Sequence, residues 1–303
     1  MSETGTLHIQ SVLYNNKQDR IVKSIESLIR AADFAIHDGI FSKISLNYGD
    51  GSSIPIFSEA EISQLNHQFG EYIDIHYNFF NSNLGSARGH NRIASNCTSE
   101  YILIMNPDIL MAPDTILNLY KPFSFFKTNN IGIVEARQLP IEHPKLYNVH
   151  TGETSWASTA CAMVPSFIFE EVKGFDAETF FLYCDDVDFS WRVRLHGYQI
   201  IHQPSAVIFH DKTLSKHGNW QTSDAEDYYS AEAGLLMAYK WSRNDLVEEI
   251  MSYFESSSEE YFKRALVEFR KREAEGRLPK QIDTDHKIGE FHNNNYGKMR
   301  FTL

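Results

Sequence analysis

From Leu7 to Asn106 the hydrophobic period of the sequence switches repeatedly, short apolar runs alternating with stretches whose apolar residues recur at helical spacing. LHIQSVLYN, Leu7 to Asn15, predicts a strand, and IVKSIESLIRAADFA predicts an amphipathic helix. KISLNY predicts a second strand, closed by the turn signal GDGSS. A helix is predicted from about Ser58 to Phe69 with Ser58 as its cap, followed by a third strand in YIDIHYNF. NSNLGS opens a helix through Arg88 and Asn91 to Ala94, EYILIMN reads as a buried strand ending at Asn106, and Pro113 with Asp114 starts another helix. Such alternation with short connections predicts an α/β fold, a mostly parallel sheet with helices on both faces.

Ligands of such sheets gather beyond the carboxyl ends of the strands. That rule singles out GDGSS, NSNLGS and the Asn106-Pro107-Asp108 turn. Gly132 to Val164 is less regular and predicts an irregular hairpin carrying Trp156. ETFFLYCDDVDFSWRVRLHG predicts an extended approach into a helix with acids in its first turn, and YQIIHQPSAVIFH a further strand ending at His210. Between Asp224 and Arg277 the patterns YYSAEAGLLMAYKW and EEYFKRALVEFRKREAEG predict amphipathic helices. The chain therefore divides into an α/β domain, residues 1–215, and a helical C-terminal extension, residues 216–303, with little order expected from Leu278 onward. Tyr228, Tyr229, Leu235, Leu236, Tyr239 and Trp241 read as packing residues in preference to a membrane-binding face, since the charges around them are mixed, with a homo-oligomer contact or a wall of an acceptor site as further alternatives.

Charge narrows the ligands. A formal net charge of -12 over 303 residues opposes nonspecific nucleic-acid binding, which needs a cationic surface. A nucleotide diphosphate would need a metal ion or a local basic pocket. The three cysteines, Cys97, Cys161 and Cys184, form no CxxC pair, so they read as reduced thiols. The polar start MSETGTLHIQ lacks the pattern of a signal peptide, and no apolar run reaches the roughly 20 residues that cross a bilayer. A cytoplasmic protein is expected, with any membrane contact peripheral.

The acids of FFLYCDDVDFSWRVRLHGY, Phe180 to Tyr198, raise the sharpest question. Carboxylates so close together repel, and partial burial makes each charge harder to hold. On a helix, Asp188 reaches Arg192 four residues on, and acids in a first turn are favoured by the helix dipole. Asp186 remains over, either as a solvated first-turn acid or as a general base in a cleft. Asp108 reads as a turn residue or as a ligand for a hard cation, and His210 as a structural imidazole or a second ligand.

Taken in order, DGS at Asp50 to Ser52, NLGSARGHN at Asn83 to Asn91, NPD, GFDAETFFLYCDDVDFSWR, and HGY with PSAVIFH resemble the family 2 inverting glycosyltransferases of GT-A fold, over about the first 210 residues. The set is most similar to bacterial rhamnosyltransferase-like members, in which NPD replaces the usual acidic signature, and is also similar to galactofuranosyltransferases. The resemblance implies that Asp108 and His210 hold Mg2+ or Mn2+ at the diphosphate of a dTDP- or UDP-sugar donor. It implies that Asp186 takes the proton of the acceptor hydroxyl while Asp185 orients the acceptor or the base. Asn15, Asp50, Asn83, Gly85, Arg88, Asn91 and Asn106 would lie on the nucleotide side, Asp50 at the base and ribose. Two departures stand out: Gly49 replaces a usual acid, and Ser158-Thr159 replaces a usual Ser-Gly.

The expected activity is metal-assisted inverting transfer of a sugar, rhamnose first, to a hydroxyl of a glycan or lipid-linked glycan in bacterial surface polysaccharide synthesis. Galactofuranosyl or other hexosyl transfer is the alternative. A nucleotidyltransferase would carry a basic Gly-rich loop near the first strand, which LYNNKQDR lacks. A non-catalytic carbohydrate-binding protein fits poorly with Asp108, Asp186 and His210 together.

Overall fold

The computed structural model describes residues 4–125, 130–210, 222–293 and 295–300. In chain order the elements are β1 (Gly5–Leu13), α1 (Gln18–His37), β2 (Phe41–Asp50), α2 (Glu59–Phe69), β3 (Asp74–Phe79), α3 (Gly85–Ala94), β4 (Tyr101–Met105), β5 (Ile109–Met111) and α4 (Thr115–Phe125). They continue with β6 (Ile131–Leu139), β7 (Glu153–Thr154), β8 (Cys161–Pro165), α5 (Ser166–Glu171), α6 (Asp185–Leu195), β9 (Gln199–His210), α7 (Asp224–Lys240), α8 (Asn244–Ser256) and α9 (Glu260–Ala274). Ser58 caps α2 as expected, in a reciprocal capping box with Glu61.

The nine strands form one sheet in the order β3-β2-β1-β4-β8-β6-β9-β5, with β7 also on β9. β1 pairs in parallel with β2 and β4, β2 with β3, and β6 with β9. β8 runs antiparallel between β4 and β6. Consequently β1, β2, β3, β4, β6 and β9 all run the same way, and Leu13, Asp50, Phe79, Met105, Leu139 and His210 end on one edge of the sheet. That is the edge the loops were expected to crowd.

Side chains alternate across the sheet and feed a core on each face. Leu103 and Met105 pack with Ile25 and Leu28 of α1 on one side, while Ile102 and Ile104 meet Phe169, Phe189 and Val193 on the other. Gly132 to Val164, expected as an irregular hairpin, instead supplies β6 and β8 at the centre of the sheet. Both are buried on both faces, so their residues show no alternation to read.

The helical extension is not a separate appendage. Trp191 of α6 meets Trp241 at 5.0 Å between ring centres, within a core shared by α6 and helices α7, α8 and α9. Leu235, Leu236 and Trp241 are buried there, as packing residues should be. The boundary expected at 215/216 lies outside the described residues.

The stretch beyond Leu278, expected to have little order, is held in place by irregular contacts. Ser242 Oγ donates to the Ile282 carbonyl, Asp283 Oδ2 accepts from the backbone of Ile288 and Gly289, and Phe291 packs edge-on against Trp191. Leu146 N donates to the Lys298 carbonyl and Arg300 N to that of Pro144. Contacts of this kind need no hydrophobic period, which is why none is visible in the sequence.

Candidate active site

The antiparallel pairing of β5 with β9 sets Ile109 opposite His210, and so places Asp108 beside the imidazole. Asp108 Oδ1 lies 3.4 Å from His210 Nε2, and Asn106 Nδ2 lies 3.3 Å from the same nitrogen. The other ring nitrogen, Nδ1, is 3.1 Å from Gln138 Oε1, whose amide nitrogen donates to Ser158 Oγ at 3.0 Å. A carbonyl oxygen only accepts, so Gln138 holds a proton on His210 Nδ1 and Nε2 is the nitrogen turned toward Asn106 and Asp108.

A carboxylate and an imidazole with a free lone pair are suitable donors for Mn2+ or Mg2+. Among the described residues no cluster of three or more His, Cys, Asp or Glu is arranged to hold a metal. A cation at this corner would therefore take two protein ligands and complete its shell with substrate oxygens and water, as such ions do at phosphate sites.

Opposite this corner stands the start of α6. Tyr183 and Cys184 both adopt left-handed backbone conformations, φ 65° and 55°, which turn the chain so that the helix opens on the acids. The three acids then meet three environments. Asp188 is fully buried and receives Arg192 Nε at 2.7 Å, Lys240 Nζ at 2.6 Å and Trp241 Nε1 at 3.1 Å. Asp185 is 5 % exposed, bonded to the Ser86 side chain, and leaves its Oδ2 without a protein partner. Burial raises its pKa above the usual carboxylate range. Asp186 Oδ1 accepts from Val187 N at 2.8 Å, and burial, followed by the neighbouring Asp185 charge, pushes its carboxyl up to about 7.

Asp185, Asp186, Asn106 and His210 line one cavity of about 370 Å³, together with Lys145, Trp156 and Tyr296. Two larger grooves, of about 590 and 760 Å³, open elsewhere. Neither joins an acid to a histidine, as the smaller one does.

The remaining expected residues lie outside this cavity. Asp50 is fully buried, with Oδ1 accepting Ser52 N and Oδ2 accepting Ile56 N and the Tyr77 hydroxyl, so its carboxylate holds the loop after β2. Asn15 is exposed, its backbone nitrogen bonded to Ser52 Oγ. Asn83 accepts from Gly85 N, and Gly85 has φ 71° with no room for a Cβ, which would lie 2.2 Å from the Phe181 carbonyl. Arg88 pairs with Glu178 at 2.7 Å on the surface. Asn91 exchanges two hydrogen bonds with the backbone of Phe175. These residues shape the approach to α6. At Gly49 a Cβ would lie 2.4 Å from the Phe80 ring, so that ring fills the place where the resembled family has an acid.

Sequence reading missed Lys145, Glu135, Gln138 and Tyr296. Lys145 Nζ is 2.7 Å from Glu135 Oε1, and Tyr296 donates to or accepts from Cys184 Sγ at 3.1 Å. An acid inside the apolar run IGIVEARQL was the available signal for Glu135. Tyr296 offered none.

Comparison with known proteins bears on the family and the fold. The family model "Glycosyl transferase family 2" matches residues 11–184. An N-acetylglucosaminyl-diphospho-decaprenol L-rhamnosyltransferase of Mycobacterium tuberculosis is 38% identical over 60 residues, 20% of this chain and 19% of that protein, so the match spans about a fifth of the relative. Among solved structures, the mannosyltransferase PcManGT from Pyrobaculum calidifontis, in complex with GDP-Man and Mn2+, has TM-score 0.57 at 15% identity, covering 90% of this chain and 76% of that one. GalNAc-T7 with UDP, GalNAc and Mn2+ has TM-score 0.62 at 12% identity, covering 94% and 57%. These structures share the GT-A fold with this chain.

Proposed function

The chain belongs to glycosyltransferase family 2, and from that premise we propose that it is an inverting enzyme moving a sugar from a nucleotide-diphosphate donor to an acceptor hydroxyl, with Asp186 as general base. The carrying observation is that Asp186, with its raised pKa, lines the same cavity as Asn106 and His210. A base works best when its pKa lies near the working pH.

In this reading the donor's diphosphate lies at the Asp108 and His210 corner, where a bound Mn2+ or Mg2+ would supply Lewis-acid stabilisation of the leaving oxygens. Gln138 keeps the His210 proton on Nδ1, so Nε2 stays available as a ligand. Asp186 aligns the acceptor hydroxyl and takes its proton as the oxygen bonds to the anomeric carbon and the bond to the diphosphate breaks. A single displacement inverts that carbon. Asp185 positions Asp186 and the acceptor. Asp50, Asn83 and Gly85 act on the nucleotide side through the loops they hold.

Rhamnose is the proposed donor sugar, supported by the short match to a rhamnosyltransferase, with a galactofuranosyl or other hexosyl donor as the alternative. The proposed acceptor is a glycan or lipid-linked glycan. We assign residues 1–215 to catalysis and residues 216–303 to an extension that braces α6, and place the work at the cytoplasmic side of a membrane. No helix among the described residues is long and apolar enough to cross one.

The test is a donor screen with dTDP-rhamnose, UDP-galactofuranose, UDP-glucose and UDP-GlcNAc, with and without Mn2+, read by binding and slow hydrolysis. One donor should bind in a metal-dependent way, and Asp186→Asn should keep that binding while losing transfer. Undiminished transfer by Asp186→Asn would remove the base assignment.

A further inference from the structure

Beneath Asp186 lies a buried ion pair that the proposed chemistry does not use. Lys145 is 5 % exposed, and its Nζ contacts Glu135 Oε1 at 2.7 Å, the Trp156 carbonyl at 2.5 Å and the Trp156 ring at 3.8 Å from its centre. These partners fix the ammonium in space at the wall of the cavity that Asp186 also lines. Glu135 is 2 % exposed and bound on both oxygens: Oε1 takes Lys145 and His202 Nδ1, and Oε2 takes Ser158 N at 2.6 Å. Ser158 in turn carries Gln138, which carries His210. One hydrogen-bonded chain thus runs from the wall beside the base to the imidazole of the opposite corner.

Burying such a pair brings little net stability, because the cost of desolvating two ions rivals their attraction. Its consequence is a fixed charge where solvent would otherwise screen. Resting on the assignment of Asp186 as base, we infer that Lys145, anchored by Glu135, is a positioning residue whose fixed charge acts across the shared cavity wall on the Asp186 carboxylate. The ammonium favours the ionised base, opposing the burial and the Asp185 charge that disfavour it. Glu135 acts in the opposite sense and more weakly on Asp186, but it holds Lys145 in place.

The titratable groups around Asp186 come from every side. They are Asp185, Asp188 and Cys184 at the start of α6, Glu135 on β6, and, lining the same cavity, Lys145 and His143 on the segment before β7, Tyr296 near the C-terminus and His210 at the end of β9. Among them Lys145 is the group that lowers the Asp186 pKa by its charge, whereas Asp185 and Glu135 raise it.

The experiment follows the Asp186 carboxyl directly, by a 13C titration assigned through Asp186→Asn, in three proteins: the wild type, Lys145→Met, and Lys145→Met/Glu135→Gln. Lys145→Met should move the Asp186 titration upward by about one pH unit, and shift the acidic limb of kcat with it while the donor KM stays near wild type. The double variant, which leaves no lone buried carboxylate, should move it upward by less. Should Lys145→Met fail to fold, the double variant decides alone. An unmoved or lowered Asp186 titration overturns the inference, even with Asp186→Asn inactive. An active Asp186→Asn overturns the base assignment instead, whatever the titrations show.

Discussion

Trp241 donates its indole N–H to Asp188 Oδ1 at 3.1 Å, so the last acid of the DDVD run is held by the helical extension and not by the cavity. Lys240, beside it, bridges Asp188 and Asp176 at 2.6 and 2.7 Å. Helix α6 is therefore positioned with help from residues more than fifty positions downstream. Removing one partner from such a network leaves buried ions uncompensated, at a cost of about 3–5 kcal/mol. Asp188→Asn should lower stability by roughly that amount in urea unfolding. Turnover per folded molecule should remain, because Asp188 does not line the cavity. A fully stable but inactive variant would instead place Asp188 in the chemistry.

Gly85→Ala offers a test of the loop that leads into that helix. Gly85 has φ 71°, and its added methyl would meet the Phe181 carbonyl at 2.2 Å, where Ser86 N also bonds. Strain in the backbone and overpacking together cost about 2–4 kcal/mol. Because Ser86 reaches Asp185, donor binding and transfer should both fall, together with a lowered melting temperature. An unaltered melting curve would show that the loop gives way freely.

How far the sequence carried this reading depends on the kind of contact. The alternation from Leu7 to Asn106 was legible because α/β layering imposes two periods, and β1 to β4 lie where it put them. The pairing of Asp188 with Arg192 was legible from helical spacing alone. β6 and β8 were misread because strands buried on both faces lose their alternation. Asp50 was singled out for the nucleotide side, and the bonds its carboxylate accepts from Ser52, Ile56 and Tyr77, up to 27 residues away, were not visible in the sequence. Tyr296 reaches Cys184 across 112 positions with no pattern to announce it. Local chemistry was readable, and long-range closure of the cavity was not.

The Asn106–His210 corner makes a separate prediction about metal. Asp108→Ala and His210→Ala should each weaken Mn2+-dependent donor binding in calorimetry while leaving any metal-independent binding unchanged. Gln138→Leu leaves both proposed ligands in place, but removes the acceptor that fixes the His210 proton on Nδ1. It should weaken metal affinity by about tenfold, the usual effect of losing a partner behind a ligating histidine. An identical Mn2+ titration in all three variants would move the cation site elsewhere.

Asp186 links acidity, stability and turnover in one measurement. Its carboxyl moves from the ordinary 3.8 to about 7 in the folded protein, chiefly because burial penalises the charge. A pKa raised on folding means that the native state binds the proton more tightly than the unfolded chain. Between about pH 4 and 7 the folded protein therefore holds a proton that the unfolded chain has released, and stability from this group falls as pH rises through that window. With Asp186 as the proposed base, transfer needs the opposite form, so kcat should climb through about pH 7 and level off above it. Asp186→Asn removes the ionisation altogether. The variant should lose transfer, and its melting temperature relative to wild type should be higher at pH 8 than at pH 4. A melting profile that tracks wild type at both pH values would mean that Asp186 ionises as freely in the fold as in water, and the explanation of its reactivity by burial would fail.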